Sequence, residues 1–255
     1  MTIKDILDEQ VERINTPDFI NDDPVQFPRR FSKLQDIEIA AFTTATIAWG
    51  KRSMILRDAE RMFSLMDNKP YEFVMNRGFE TLGKANVHRT FFQPDLAYML
   101  RGFYNIYSKY DSMNSMIAQT EIGNDKAPAW RVCETLRNFA CEANCGAQNS
   151  QCYPSNFVNS ALKRINLAIK WLVRNDGIVD MGVWDSITPA QLYIPLDVHV
   201  GNTARALNIL KRKSNDRKTV IELTEVLREF NREDPVIYDY ALFGIGVNGI
   251  NIEIL

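Results

Sequence analysis

The sequence lacks several features that would identify a function at once. It contains no apolar run long enough to cross a bilayer, no glycine-rich loop of the kind that holds a phosphate, and no motif that supplies a serine or cysteine nucleophile. It also has no internal repeat and no low-complexity linker. These absences argue against a membrane-spanning protein, a repeat protein, and an enzyme built on any of those loops or nucleophiles.

The chain also lacks an excess of either charge. Its 30 basic and 32 acidic residues give a net charge of −2, whereas a dedicated nucleic-acid coat protein is usually strongly basic. A DNA enzyme with a local basic stripe is still compatible with this composition. The N-terminal sequence MTIKDILDEQVERI predicts an amphipathic helix rather than a secretory signal, so we expect a cytoplasmic location and no membrane partner.

Helical periodicity dominates what is present. At 255 residues the chain fits one large domain, and its pattern predicts an all-α fold of roughly eight to ten helices. Ser32 and Thr219 are predicted N-caps, and Pro94 and Pro128 are predicted at first turns. The segment 15–30, rich in proline, aspartate and asparagine, is predicted to be an ordered loop, and the tail GVNGINIEIL is the best candidate for a strand.

A basic helix is predicted over residues 161–174. At about 100° per residue, Lys163, Lys170 and Arg174 fall within about 40° of one another, on a face separate from the apolar one. Ser160 is a plausible N-cap, which would place Lys163 in the first turn. The helix dipole and partial desolvation would lower the pKa of this lysine and increase the fraction of nucleophilic free amine. The alternative is that the stripe is only the solvated side of an amphipathic helix.

An aspartate is predicted to begin the next helix. Pro195 fixes an extended entry, and Asp197 then precedes VHVGNTARALNIL, in a good N-cap position. An N-capping carboxylate accepts backbone N–H bonds, which favour its ionised form. The alternative is that Asp197 only caps its helix and that His199, two residues later, is a packed side chain.

These residues resemble a motif of a known superfamily. Pro195–Val200 is similar to the aspartate motif of the helix-hairpin-helix DNA glycosylases. Lys163 with Lys170, followed by Asp197 after 197 − 163 = 34 residues, resembles the archaeal 8-oxoguanine DNA glycosylase branch. Nearly the whole chain also resembles an uncharacterised bacterial family placed in that superfamily. The segments that carry this closer match are 23–24, 28–31, 36–42, 163–166, 171–174, 180–184 and 234–239.

The resemblance implies a two-lobed helical fold with a central cleft, formed by a single domain over residues 1–255 with a helical N-terminal extension over about residues 1–31. It implies that Lys163 attacks C1′ of an extruded nucleotide through an imine, that Asp197 accepts the lysine proton or stabilises the sugar cation, and that a lyase step follows. The implied partner is double-stranded DNA with a damaged base, and we predict no protein partner. The residues expected to contact substrate or DNA are Arg29, Arg30, Arg164, Lys170, Trp171, Arg174 and His199.

Two departures from the superfamily pattern keep other functions open. The hairpin signature Leu-Pro-Gly-x-Gly is absent before Lys163, where the sequence is CYPSNFVNSALK, and Val198 stands where many members have threonine. One alternative is therefore a non-catalytic DNA- or nucleotide-binding protein on the same fold. Another is an interaction protein that reuses the helical scaffold.

Four cysteines lie within a short window, at C-x7-C-x3-C-x6-C. Some related glycosylases hold an iron–sulfur cluster at C-x6-C-x2-C-x5-C, but that cluster follows the catalytic aspartate, whereas this window precedes Asp197. We therefore expect no metal and no cofactor, and cysteines that serve as small core residues. Phe31, Trp171 and Trp184 are either core residues or stacking partners for an extruded base.

Overall fold

The computed structural model describes residues 2–248 and is predominantly helical, as predicted. Its α-helices are α1 Ile3–Ile14, α2 Pro17–Asn21, α3 Leu34–Ile47, α4 Arg52–Ser64, α5 Pro70–Met75, α6 Gln93–Tyr107, α7 Met113–Gln119, α8 Pro128–Ala143, α9 Lys163–Val173, α10 Val198–Ala206, α11 Arg217–Phe230 and α12 Tyr238–Asn248. Within residues 2–248, no helix is both long enough and apolar enough to cross a membrane.

The sequence did not predict the short hairpin formed by β1 (Asn86–His88) and β2 (Phe91–Phe92). Both strands are too short to show an alternating pattern, and Arg89 between them takes a left-handed φ of 50°. The tail GVNGINIEIL was predicted as a strand. Its first three residues are helical instead and belong to α12, and the remainder lies outside the described residues.

The helix starts confirm some of the predicted caps and correct others. Pro94 and Pro128 lie in the first turns of α6 and α8 as predicted. Ser32 is not a cap, because α3 begins after Lys33 without a side-chain cap bond. Thr219 is not a cap either, since Asp216 caps α11 and accepts a hydrogen bond from the Thr219 amide.

Helix α3 lies at the centre of the core and packs against α9. All of its residues from 37 to 47 are buried, which a helix tolerates only when other elements surround it. The segment 15–30 is more regular than predicted. It contains α2 and two 3₁₀ turns, Pro24–Gln26 and Pro28–Arg30, which pack on α3 and α4. Helix α1 packs along α12, and α12 packs against α10, so the two ends of the described chain lie together beside α10.

A buried glutamate ties α3 to distant segments. Glu38 has no exposed surface and accepts hydrogen bonds from the backbone amides of Met113 (2.9 Å) and Asn114 (2.9 Å). It also accepts from the Trp184 indole nitrogen (2.8 Å) and the Tyr107 hydroxyl (3.0 Å). These bonds occupy Trp184 in the core, so this ring is a structural residue rather than a stacking partner. The start of α7 and the loop before α10 are thus anchored to one carboxylate.

Candidate functional site

A cavity of about 680 Å³ lies where α2, α4, α9, α10 and α12 meet, which is within the usual range for small-molecule sites. Lys163 and Asp197 both line it, as the predicted pairing requires. The other polar residues that line it are Asp23, Arg52, Lys170, His199, Asn215 and Asp239, and its aromatic residues are Phe19, Trp49, Trp171, Tyr240 and Phe243. One cavity therefore combines a lysine, carboxylates and ring faces.

Lys163 is the first residue of α9 and is partly buried. Ser160 does not cap this helix. Instead, Leu162 holds the N-cap position in a left-handed conformation (φ 48°), which is costly for a leucine and fixes the direction in which the helix begins. The lysine ammonium donates a hydrogen bond to the backbone carbonyl of Ala48 at 2.8 Å. This bond holds the amine at the wall of the cavity, where α3 ends.

Burial shifts the protonation equilibrium of Lys163 towards the neutral amine. Burial lowers the pKa of Lys163, and the carboxylates of Asp197, Asp239 and Asp23 oppose this effect only in part. The net pKa is below the ordinary value of 10.5. At a given pH, a larger share of this lysine carries a free electron pair than of an ordinary lysine, which makes it a better nucleophile.

We expect the substitution Lys163→Met to raise the melting temperature, because burial of the ammonium costs more free energy than the nearby carboxylates return. A gain of about 1 kcal/mol corresponds to about 2–4 °C for a chain of this length. The cost is full while the folded protein keeps the lysine protonated and vanishes above its ordinary pKa of 10.5, so the gain should shrink as pH rises. Thermal unfolding followed by circular dichroism at pH 7 and pH 10 measures both effects.

Lys170→Met is the matched control, since it removes a lysine from the same helix that is paired with a carboxylate. Breaking that buried pair leaves Asp239 uncompensated, so this variant should melt at a lower temperature than the wild type. A lower melting temperature for Lys163→Met as well would contradict the expected cost of burying Lys163.

Asp197 caps α10, as predicted from the sequence. Its Oδ1 accepts a hydrogen bond from the Val200 amide at 2.9 Å, and the Asn215 side chain donates to its backbone carbonyl at 3.3 Å. Capping occupies only one of the two carboxylate oxygens. The side chain is partly exposed at the cavity, so the second oxygen can face a ligand there.

The basic stripe of α9 is not a solvated face, which corrects the alternative interpretation. Lys170 has a 3% exposed side chain, donates to Asp239 at 2.9 Å and lies 3.6 Å above the Tyr240 ring. Lys170 lines the cavity, but its charge is already neutralised by Asp239. A contact between Lys170 and a phosphate would have to compete with that pair.

Arg174 lies in an ion cluster rather than at the cavity, contrary to its predicted role in binding DNA. Its guanidinium donates to Asp234 through Nε (2.9 Å) and Nη2 (2.8 Å), and also to Asp176 (3.1 Å) and Asp180. The residue is 1% exposed. Because Arg174 is bound by three carboxylates and has almost no exposed surface, it cannot contact a phosphate. It joins the end of α9 to the segment before α12 instead.

The other predicted arginines also lie outside the cavity lining. Arg164 donates to the backbone carbonyl of Gln151 at 2.6 Å, and Arg29 donates to the carbonyl of Val179 at 2.8 Å. Arg30 pairs with Glu60 at the surface at 2.7 Å. Arg29 and Arg30 are exposed, whereas the hydrogen bonds of Arg164 brace the loop that precedes α9.

Trp171 and His199 do line the cavity. Trp171 is 2% exposed and forms part of the wall beside Lys170. His199 is exposed in the first turn of α10, with its ring centroid 6.4 Å from that of Phe243 in an edge-on arrangement. The sequence therefore identified the lysine, the aspartate and three further lining residues, Lys170, Trp171 and His199. Phe31, by contrast, packs on Phe63 at the margin of the core and does not line this cavity.

Several lining residues were missed, because they come from segments with no recognisable site pattern. Asp23 belongs to the segment 15–30, which was predicted only as an ordered loop, and its side chain accepts a hydrogen bond from the Val25 amide at 3.0 Å. It nevertheless also faces the cavity. Arg52 and Phe243 line the same region, with the guanidinium 5.3 Å from the ring centroid. No sequence signal relates these three residues, which belong to three separate elements.

The connection between α3 and α4, which contains Trp49, is held in place by the buried side chain of His88. The ring nitrogens of His88 lie 2.8 Å from Asp58 Oδ2 and 2.8 Å from the Trp49 carbonyl oxygen. Both partners are hydrogen-bond acceptors, so the ring is held between two fixed oxygens. Burial raises the pKa of the Asp58 carboxyl, but hydrogen bonds from His88 and Arg57 outweigh it, and the net pKa is lowered. This support fixes the backbone beside Ala48, the hydrogen-bond acceptor of Lys163.

The cysteines do not form a cluster. Cys133 and Cys152 are buried, Cys141 is partly buried and Cys145 is exposed. Burial raises the pKa of the Cys133 thiol to about 12, as for a thiol in an apolar core. No group of three or more histidine, cysteine, aspartate or glutamate side chains that could hold a metal ion occurs within residues 2–248.

Fold and cavity together define a helical protein in which two lysines and three aspartates meet aromatic rings in a single pocket. Residues 23–248 match the family DUF2400, which is described as a protein of unknown function. Because the match covers most of the chain, the chain belongs to this family. Neither the curated proteins nor the solved structures gave a match.

Proposed function

We propose that the protein is a DNA base-excision enzyme, a glycosylase with lyase activity that uses Lys163 as nucleophile and acts on 8-oxoguanine-type lesions in double-stranded DNA. The observation that carries the proposal is the presence of Lys163 and Asp197 on one cavity, with the pKa of the lysine lowered by burial. In this proposal the cavity is the central cleft of a two-lobed glycosylase fold. The proposal needs no cofactor and no protein partner, and it suits a cytoplasmic protein.

The proposed reaction begins with the neutral amine of Lys163. Its electron pair attacks C1′ of the extruded nucleotide, the C1′–N bond breaks, and the bonding electrons leave with the base. Asp197 accepts a proton from the lysine nitrogen and returns it to O4′ as the C1′–O4′ bond breaks, which opens the sugar ring to a protonated imine. Water then accepts the C2′ proton, a C2′–C3′ double bond forms, and the C3′–O bond breaks, so that its electron pair leaves with the 3′ phosphate. The Ala48 carbonyl supports the first step by holding the lysine nitrogen at the cavity wall.

The cavity also suits an extruded base. Its volume exceeds the requirement of one nucleoside, and Phe19, Trp49 and Phe243 provide ring faces on which a base can stack. The cation–π arrangement of Arg52 with Phe19 (5.8 Å) and Phe243 (5.3 Å) adds a donor beside those rings. Removal of a base from the duplex costs a few kcal/mol, which stacking and hydrogen bonds in such a pocket offset.

Borohydride trapping tests the proposal. Reduction converts the lysine imine to a stable amine, so the wild-type protein should form a covalent adduct with duplexes that carry 8-oxoguanine or an abasic site. Lys163→Ala should form none. Lys109→Ala is the matched control, since it removes an exposed lysine paired with Glu142, away from the cavity, and should form as much adduct as the wild type.

Two outcomes would contradict the proposal. An adduct that persists in Lys163→Ala removes this lysine from the role of nucleophile. No adduct on duplexes with 8-oxoguanine, uracil or an abasic site favours the second candidate, a non-catalytic DNA- or nucleotide-binding protein on the same fold. One observation supports that candidate. The segment before α9 lacks the hairpin signature. It packs instead against the start of α11, where Ser160 and Asp216 form an isolated antiparallel β-bridge.

A further inference from the structure

Asp23 is a buried carboxyl group at the cavity with no role in the proposed reaction so far. It lies between α2 and the 3₁₀ turn that begins at Pro24, and it is 9% exposed. Its Oδ1 accepts the Val25 amide at 3.0 Å, which fixes the rotation of the side chain. The cation nearest to Oδ2 is Arg52, at 4.0 Å, which is beyond hydrogen-bond distance. Asp23 therefore presents to the cavity an oxygen that Arg52 does not bind directly.

The surroundings of Asp23 suit a carboxyl group that holds a proton and then releases it. Burial raises the pKa of Asp23, while the Val25 amide and the cations Arg52, Lys170 and Lys163 lower it in part. The net pKa lies above the ordinary value of 3.8, which raises the share of the protonated acid at a given pH. The same three cations would stabilise the carboxylate that remains after the proton has been given away.

The proposed reaction requires such a donor. When the C1′–N bond breaks, the electron pair remains on the base, and an unprotonated base is a poor leaving group near neutral pH. Lys163 and Asp197 are occupied with attack and with acceptance of the lysine proton. Asp239 is held by Lys170 at 2.9 Å, and His199 lies exposed in the first turn of α10. Among the carboxyl groups of the cavity, this leaves Asp23.

We infer that Asp23 is a further catalytic residue, which donates a proton to the departing base; this inference rests on the proposed function. In the step, the Asp23 O–H bond breaks and its proton goes to a ring nitrogen or exocyclic oxygen of the base. The electron pair of the C1′–N bond moves onto the base at the same time, so the base leaves as a neutral molecule. Asp23 remains as a carboxylate beside Arg52, and solvent protonates it again after product release.

The test separates base departure from imine formation. Asp23→Asn keeps an oxygen that can accept the Val25 amide but has no acidic proton. On a duplex with 8-oxoguanine, or with uracil if the wild type excises that base instead, single-turnover excision should fall by about 10²–10⁴-fold. On a duplex with a preformed abasic site no base departs, so borohydride trapping should stay within about twofold of the wild type.

A second substrate sharpens the test. 7-Methylguanine is cationic in DNA and leaves as a neutral base without a proton from the enzyme. For a wild-type protein that excises it, the loss caused by Asp23→Asn should be at least about tenfold smaller than on the neutral lesion. Asp23→Ser also retains an oxygen that can cap the turn and has no acidic proton. It should show the same loss of excision with trapping retained. Agreement between the two variants excludes a folding defect specific to asparagine.

Four outcomes would overturn the inference. Unchanged excision by Asp23→Asn shows that no proton from this residue is needed, and equal losses of excision and trapping show a structural role. If His199→Gln rather than Asp23→Asn separates excision from trapping, the donor is His199. If the wild type forms no adduct even at an abasic site, the proposed function itself fails, and the role of Asp23 in it fails as well.

Discussion

Under the proposed function, Asp197→Asn should lower the rate of base excision by about 10³-fold while leaving the protein folded. The amide oxygen of asparagine can accept the Val200 N–H as the carboxylate does, and asparagine is as good an N-cap as aspartate. The amide cannot accept the lysine proton, and it carries no charge to stabilise the sugar cation. Single-turnover excision kinetics and thermal unfolding on the same preparation measure both quantities.

The chain provides a matched control for this substitution. Asp216 caps α11 with nearly the same backbone angles and accepts the Thr219 amide at 3.0 Å, but it does not line the cavity. Asp216→Asn should therefore excise the base at the wild-type rate. If Asp197→Asn keeps full activity, or loses activity only in proportion to its loss of stability, Asp197 is a cap and nothing more.

Glu38→Ala should cause the largest loss of stability, a decrease of about 3–5 kcal/mol in the free energy of unfolding. The substitution removes the acceptor of two backbone amides, an indole N–H and a hydroxyl, all of which then lie in the core without a partner. It also leaves a cavity where α3 meets α7. Equilibrium unfolding in urea measures the change, with the midpoint and the slope fitted separately.

Glu60→Ala is the control for the loss of a glutamate as such. Glu60 is more than half exposed and pairs with Arg30 at the surface, so its removal should change the free energy of unfolding by less than about 0.5 kcal/mol. A change of less than about 1 kcal/mol for Glu38→Ala would mean that water satisfies the four donors and that the carboxylate does not hold these segments together.

Local signals in the sequence predicted the helices well, because such signals act within one or two turns. The prolines at the starts of α6 and α8 and the cap at Asp197 are of this kind. The predicted cap of α11 was wrong because a second residue nearby could cap the same helix. Asp216 stands three residues before Thr219 and takes the cap of α11, since an aspartate accepts an amide hydrogen bond better than a threonine does.

The start of α3 differs from the predicted one by a single residue, since the helix begins after Lys33 without a side-chain cap and Ser32 lies outside it. Its first turn also makes a tertiary contact that the sequence did not indicate. Asp36 accepts the backbone amide of Tyr71 from α5 at 2.7 Å. The partner of Asp36 is 35 residues away in the chain, a distance at which helical periodicity carries no information.

The sequence by itself determined the all-α class, the starts of α6, α8 and α10, and the placement of Lys163 in the first turn of a helix, because caps and periodicity depend on neighbouring residues. Only the tertiary structure decided which charges are buried and what they face. Lys170 and Arg174 lie on the same helix as Lys163, yet their partners Asp239 and Asp234 are 69 and 60 residues further on. Desolvation and ion pairing depend on such distant segments. The contrast between Lys170 and Arg174, which are paired with carboxylates, and Lys163, whose amine lies at the cavity, therefore arises only when the chain is folded.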